Sequence, residues 1–207
     1  MLKSKKSNNL ELSEYKQPIV FDLFDTLLDE SSIYKKFFFQ IAKKYRIEIT
    51  AEEFVNKIFQ NQHEFVFANV QKSLKEITKL SYTKLIKQAD PNDVELLFDL
   101  YSGMKFFPGI IDLLLKLEKN HDLFILTNTD NNMLEKVSIS AKSPVRFKKI
   151  FTSEDNGTYK PNPKAYQIVV DYIRLPPKKI TYVSSNGWDI EKSREFGFNV
   201  KLLNDLR

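Results

Sequence analysis

Short apolar runs rich in β-formers recur along this chain, each ending abruptly in polar residues, with stretches of helical period between them. The first runs from Pro18 to Leu23, and the later ones are Leu123 to Thr127, Lys149 to Thr152, Ile180 to Ser184 and Asn199 to Leu203. Helical period occupies Gly109 to Lys119, with Ile110, Leu114 and Leu117 on one stripe, and then Asn131 to Ile139, Pro163 to Ile173 and Ile190 to Phe196. Strand and helix in strict alternation, joined by short connections, predict an α/β fold: a Rossmann-like parallel sheet covered on both faces.

Residues 29–106 interrupt that alternation. They carry no convincing strand but several helical patterns, among them Ile33-Phe37-Ile41-Tyr45 and Leu74-Ile77-Leu85-Ile86. Thr50 with Glu53 forms a capping box at one helix start, and Asp90-Pro91-Asn92 punctuates another boundary. The expected organisation is a core from residues 17–28 and 107–207, an inserted helical cap over 29–106, and a polar leader over 1–16 containing Lys3, Lys5 and Lys6.

Composition narrows the function. With 207 residues, 42% of them hydrophobic, the chain buries a core without staples. The 32 basic and 27 acidic residues leave +5, spread along the chain, which supports neither a nucleic-acid nor a membrane partner. There is no cysteine, so thiolate metal sites and cysteine nucleophiles are excluded. No stretch approaches the ~20 apolar residues of a membrane span, and the leader lacks the apolar segment of a signal peptide, so the expected location is cytoplasmic. None of the five glycines falls in a phosphate-cradling spacing, which disfavours dinucleotide and P-loop enzymes.

In parallel sheets the site lies at the carboxyl ends of the strands. The polar residues expected to converge there are Asp22, Asp25 and Thr26 with Phe24 between them, then Thr127, Asn128 and Thr129, then Ser184, Ser185, Asn186 and Asp189. Lys160 precedes the helix near Pro163. Carboxylates, one lysine and several hydroxyls and amides make a catalytic set that needs no histidine. His63 and His121 are isolated and read as structural, Trp188 as a packing residue, and Phe37-Phe38-Phe39 as cap core.

This order of motifs resembles the haloacid dehalogenase superfamily over nearly everything after Pro18. It is most similar to the L-2-haloacid dehalogenase branch, through Val183-Ser184-Ser185-Asn186-Gly187-Trp188-Asp189, Phe196-Gly197-Phe198, and Tyr159-Lys160-Pro161 with Tyr166. The resemblance implies a HAD-like core under a helical cap and Asp22 as a nucleophile that forms an aspartyl ester. Lys160 would keep Asp22 ionised, and Asn186 and Asp189 would place and activate water. Thr26, Thr127, Asn128 and Ser184 would hold the nucleophile or the substrate carboxylate, and Tyr166 would frame the pocket. The implied substrate is a small 2-haloacid, with no cofactor, and homodimers are common among such enzymes.

Two alternatives remain open at this point. A Mg²⁺-dependent phosphatase of the superfamily would hold the ion with Asp22 and Asp189 and needs a second acid two positions after the nucleophile. Here Phe24 stands in that place and Ser185 replaces a loop carboxylate, which favours attack on carbon, where a halide leaves without protonation. A non-catalytic binding protein is the other alternative. In the branch's cap arginine stretch the best match is Phe59-Gln60-Asn61-Gln62-His63-Glu64-Phe65, which puts Gln60 where the arginine receives the halide and implies weak dehalogenation. Arg46 is the other candidate for that charge.

Overall fold

The computed structural model describes residues 16–206, so the expected leader lies almost wholly outside the described residues. Among the described residues, five strands form one parallel sheet: β1 (Gln17–Phe21), β2 (His121–Thr127), β3 (Lys149–Thr152), β4 (Thr181–Ser184) and β5 (Asn199–Leu202), in the order β3-β2-β1-β4-β5. β1 pairs with β2 on one side and β4 on the other, so the chain reverses its direction of travel across the sheet beside β1. The crevice of such a sheet opens at that switch.

The apolar runs read as strands because the central ones are buried on both faces. On β1, Ile19 and Phe21 join the larger core cluster while Val20 joins the smaller one; on β2, Leu123 and Ile125 alternate likewise with Phe124 and Leu126. The first face packs against α5 (Ile110–Glu118) and α6 (Asn131–Val137), and the second against α9 (Pro163–Ile173), which follows the one-turn α8 (Ser153–Asn156). Two expected elements differ in extent. Ser138 takes the left-handed conformation and splits the expected helix into α6 and α7 (Ile139–Lys142). The last long helix, α10 (Gly187–Phe196), starts three residues earlier than its apolar period suggests, which puts Asp189 in its first turn.

Between β1 and α5 lie α1 (Glu30–Tyr45), α2 (Ala51–Phe67), α3 (Leu74–Leu85) and α4 (Val94–Leu100). Their shared core is aromatic: Phe37 meets Tyr82 edge-on at 5.4 Å, and Phe38 lies 5.3 Å from Phe54. Phe39, one position on, is 71% exposed, because a helix turns about 100° per residue. Asp93 ties α1 to α3 by accepting from Lys44, Tyr45 and Tyr82.

This helical insertion is fastened to the sheet at the start of α3. Ser73 and Glu76 form a capping box, and Asp130, in the loop after β2, accepts from the backbone N–H groups of Leu74 and Lys75 at 2.9 and 3.1 Å. Tyr159 adds a bond to the carbonyl of Lys72. Asp130→Ala would free two helix-terminal donors and a charge-assisted contact at the helix's positive end. We expect a loss of roughly 1.5–3 kcal/mol, read as a lower urea midpoint at unchanged m-value.

Candidate active site

Strand register brings the polar strand ends together. Phe21 pairs with Val183, and the Asp22 N–H donates to the Val183 carbonyl at 2.9 Å, so Asp22 stands level with Ser184. The chain then folds back at once. Leu27 and Leu28 donate to the carbonyl of Leu23, and Asp25 takes a positive φ of 53°, which Asp tolerates better than most residues. The expected strand therefore stops two residues early, at Phe21, and the tight turn carries Thr26 back beneath Asp22.

Asp22 is buried and its two oxygens are treated differently. Oδ2 accepts from Thr26 Oγ1 at 2.7 Å, Asn186 Nδ2 at 2.7 Å and Ser184 Oγ at 3.3 Å. Both hydroxyls are oriented for donation, because the Ser185 N–H donates to Thr26 and the Asn186 N–H donates to Ser184. Among the described residues Oδ1 accepts only from Lys160 Nζ, at 2.9 Å, and so keeps a lone pair free of them. Three donors on one oxygen and one on the other leave Oδ1 the less encumbered of the two.

Lys160 is 1% exposed and its three ammonium hydrogens are accounted for by Asp22 Oδ1, Tyr182 OH and Asp189 Oδ2, the last at 2.7 Å. Asn128 clamps its backbone, accepting from the Lys160 N–H at 2.7 Å and donating to the Lys160 carbonyl at 2.9 Å. Burial opposes the ammonium, but the carboxylates of Asp189 and Asp22 outweigh it and hold its pKa above the usual lysine value.

Asp189 lies behind Lys160, fully buried, and takes no part in the cavity wall. Its Oδ1 accepts from Tyr166, and its Oδ2 from Tyr182 and Lys160. Burial pushes its carboxyl up, against the pull of Lys160, since one ammonium serves two carboxylates. Its place is therefore that of an anchor for Lys160. Tyr166 likewise does not frame the cavity, because it spends its hydroxyl on Asp189 and its ring on Phe196, Phe198 and Tyr182.

Above Asp22 is a cavity of about 110 Å³. The sheet side contributes Phe24, Asp25, Thr127, Asn128, Lys160 and Asn186, and the insertion contributes Glu30, Phe59, Gln62, His63, Val66 and Leu74. The hydroxyl of Thr127 is buried without a partner among the described residues, a donor left over for a ligand. Trp188, taken as packing, also lines the cavity; its ring meets His63 and Phe67 edge-on at 5.4 Å. His63 is thus a wall residue, and burial shifts its imidazole down toward the neutral form.

The residues expected to replace the cap arginine are elsewhere. Gln60 is exposed on α2, because Phe59, Gln62, His63 and Val66 face inward and the intervening position turns away. Arg46, also exposed, closes α1 in the left-handed conformation beside Lys57 and Ile86, away from Asp22. Gln62 is inward, but both its amide hydrogens go to Tyr34 and Thr78. Asp25 turns its carboxylate onto Ser31, whose N–H and hydroxyl donate to it at 2.9 and 2.7 Å.

A family model described as haloacid dehalogenase-like hydrolase matches residues 19–202. The (S)-2-haloacid dehalogenase of Pseudomonas putida is 24% identical over 198 residues, covering 91% of this chain and 84% of that protein. The (S)-2-haloacid dehalogenase 4A of Burkholderia cepacia is 29% identical over 109 residues, 52% of this chain and 47% of that one, so this alignment spans about half of the relative. Among solved structures, the L-2-haloacid dehalogenase of Xanthobacter autotrophicus with chloropropionic acid covalently bound has a TM-score of 0.74 at 21% identity, covering 89% of this chain and 76% of that one. A HAD-hydrolase of Bacillus subtilis, YfnB, bound to magnesium, has a TM-score of 0.71 at 21% identity, covering 90% and 87%. At such identities the structural likeness speaks to the fold alone. With the family match running through the whole helical insertion and from the first strand to the last, the chain belongs to the haloacid dehalogenase-like hydrolases.

Proposed function

We propose that this hydrolase is a dehalogenase of small 2-haloacids in which Asp22 is a covalent nucleophile. The observation that carries the reading is the asymmetry of the Asp22 carboxylate. Oδ1 displaces the halide from the substrate carbon, and the halide leaves with the bonding pair, forming an ester between Asp22 and the substrate. Water then attacks Cγ of Asp22. The negative charge that develops on Oδ2 meets Thr26, Asn186 and Ser184, which act as an oxyanion hole arranged before the reaction starts. Collapse breaks the bond from Cγ to Oδ1, which departs with one proton of the attacking water as the hydroxyl of the product while the other is released as the carboxylate re-forms, and Lys160, 2.9 Å from Oδ1, is placed to steady the departing oxygen. The sum is haloacid plus water giving hydroxyacid, halide and a proton.

The donor set fits a divalent cation poorly. Asp189, the second carboxylate such an ion would need, already accepts three hydrogen bonds and is sealed behind Lys160. Phe24 packs its ring 5.9 Å from Tyr101, so no acid stands two positions after Asp22 for an alkoxide leaving group.

Assays on (S)-2-chloropropionate and on a generic phosphomonoester, each with Mg²⁺ and with EDTA, separate the readings. Halide release unaffected by EDTA is the expected result. Turnover should be slow, at least about tenfold below what a charge-assisted halide contact gives, since no cation among the described residues is free in the cavity wall. Mg²⁺-dependent phosphate release that disappears in Asp22→Asn would establish the phosphatase reading instead.

A further inference from the structure

The cavity above Asp22 carries two further carboxyls, Asp25 and Glu30, and among the described residues faces them with one cation. That cation, Lys160, has placed its hydrogens on Asp22, Asp189 and Tyr182. His63, facing from α2, is held toward its neutral form, while Tyr34 of α1 and Tyr101, just past α4, have phenol pKa values pushed up by burial and do not ionise near neutrality. A substrate anion entering here meets an acidic wall unless one carboxyl carries a proton.

The hydrogen bonds show which one can. Asp25 accepts on both oxygens, the pattern of a carboxylate. Glu30, in the first turn of α1, accepts from Tyr101 OH on Oε1 at 2.5 Å, and its Oε2 makes no hydrogen bond among the described residues. Asp25 thus has no oxygen to spare, whereas Glu30 keeps Oε2, facing the cavity, as the one oxygen where a proton could sit and be donated to a ligand. The helix N-terminus and Tyr101 favour the ionised form. Burial opposes them first, then the charges of Asp25 and Asp22, and the net effect raises the Glu30 pKa to about 8.

We propose that Glu30, as the neutral acid, donates a hydrogen bond to the anionic end of a small monocarboxylate in this cavity, making the contact for which a cap arginine would otherwise be needed. This rests on the 2-haloacid reading and deepens it by assigning the anion contact. It also implies that the site binds its substrate below pH 8 and releases it above, because an ionised Glu30 repels what the acid holds.

Propionate, which has no leaving group, probes the contact without chemistry. Calorimetric titration at pH 6.5 and pH 9.5 compares the populations with Glu30 mostly protonated and mostly ionised. For a pKa of about 8, wild-type affinity should fall roughly 30-fold between them. Glu30→Gln keeps a neutral donor and cannot ionise, so its affinity should be the same at both values. In the wild-type protein the Glu30 carboxyl ¹³C resonance should titrate near 8, a readout that needs no variant. Affinity independent of pH in the wild type, an equal fall in Glu30→Gln, or no propionate binding at all overturns the proposal. Propionate binding with the expected pH dependence, but without halide release from (S)-2-chloropropionate, supports the Glu30 contact and counts instead against Asp22 as a nucleophile.

Discussion

Asp22→Asn should lower halide release by at least about 10⁴-fold, since losing a nucleophile removes the covalent route and leaves only binding and the oxyanion donors. The fold should survive. Neutralising Asp22 leaves Lys160 paired one-to-one with Asp189, so the burial of a second carboxylate is relieved even as the amide hydrogens of the new Asn conflict with the three donors around Oδ2. We expect stability within about 2 kcal/mol of wild type, because a neutral hydrogen bond contributes about 1 kcal/mol net. A single turnover of the wild type in H₂¹⁸O, with enzyme in excess, tests the nucleophile directly. The label should enter the Asp22 carboxylate, and the first hydroxyacid should carry unlabelled oxygen. Label in the product instead would make Asp22 a general base that activates water for direct displacement.

Lys160→Met should have the largest effect on stability. It leaves Asp22 and Asp189 facing each other in a buried site with no cation between them, and breaking a buried ion pair from one side costs about 3–5 kcal/mol. The cost depends on pH. The Asp189 pKa already lies above its unfolded value through burial, and without Lys160 it rises further. The folded state then binds a proton that the unfolded state has released, so stability falls as pH rises from the unfolded carboxyl pKa through the folded one. Urea unfolding should therefore show a larger deficit at pH 8 than at pH 5.5. A variant as stable as wild type at pH 8, or one with the opposite pH trend, would mean that the lysine does not compensate the two carboxylates.

The convergence of the polar strand ends was legible in the chain because these residues follow apolar runs. Asp22, Thr127 and Ser184 sit where strands β1, β2 and β4 meet their loops, and a parallel sheet aligns such ends by its hydrogen-bond ladder. Two polar residues from those motifs took other work. Asn128 clamps the backbone of Lys160, and Tyr166 holds Asp189, because an amide or phenol in a buried site bonds to whatever group is left unsatisfied there.

The roof of the cavity was not legible. On α2 the choice between Gln60 and its neighbours Phe59 and Gln62 is a rotation of about 100° per residue, and it is set by how the helix packs on α1 and α3. His63 and Trp188 have no motif spacing, yet they meet across the cavity because α2 and α10 converge above Asp22. Glu30 reads in the sequence as an ordinary acidic residue in a helix's first turn, and only the fold sets it in the cavity wall, buried beside the carboxyls of Asp25 and Asp22. The sequence by itself determined the alternating core, the helical interruption and the polar strand ends, because hydrophobic period and local turn chemistry are properties of neighbouring residues. Which charged groups share the cavity wall was decided by the tertiary structure alone, since the energy of a buried charge depends on every group folded around it.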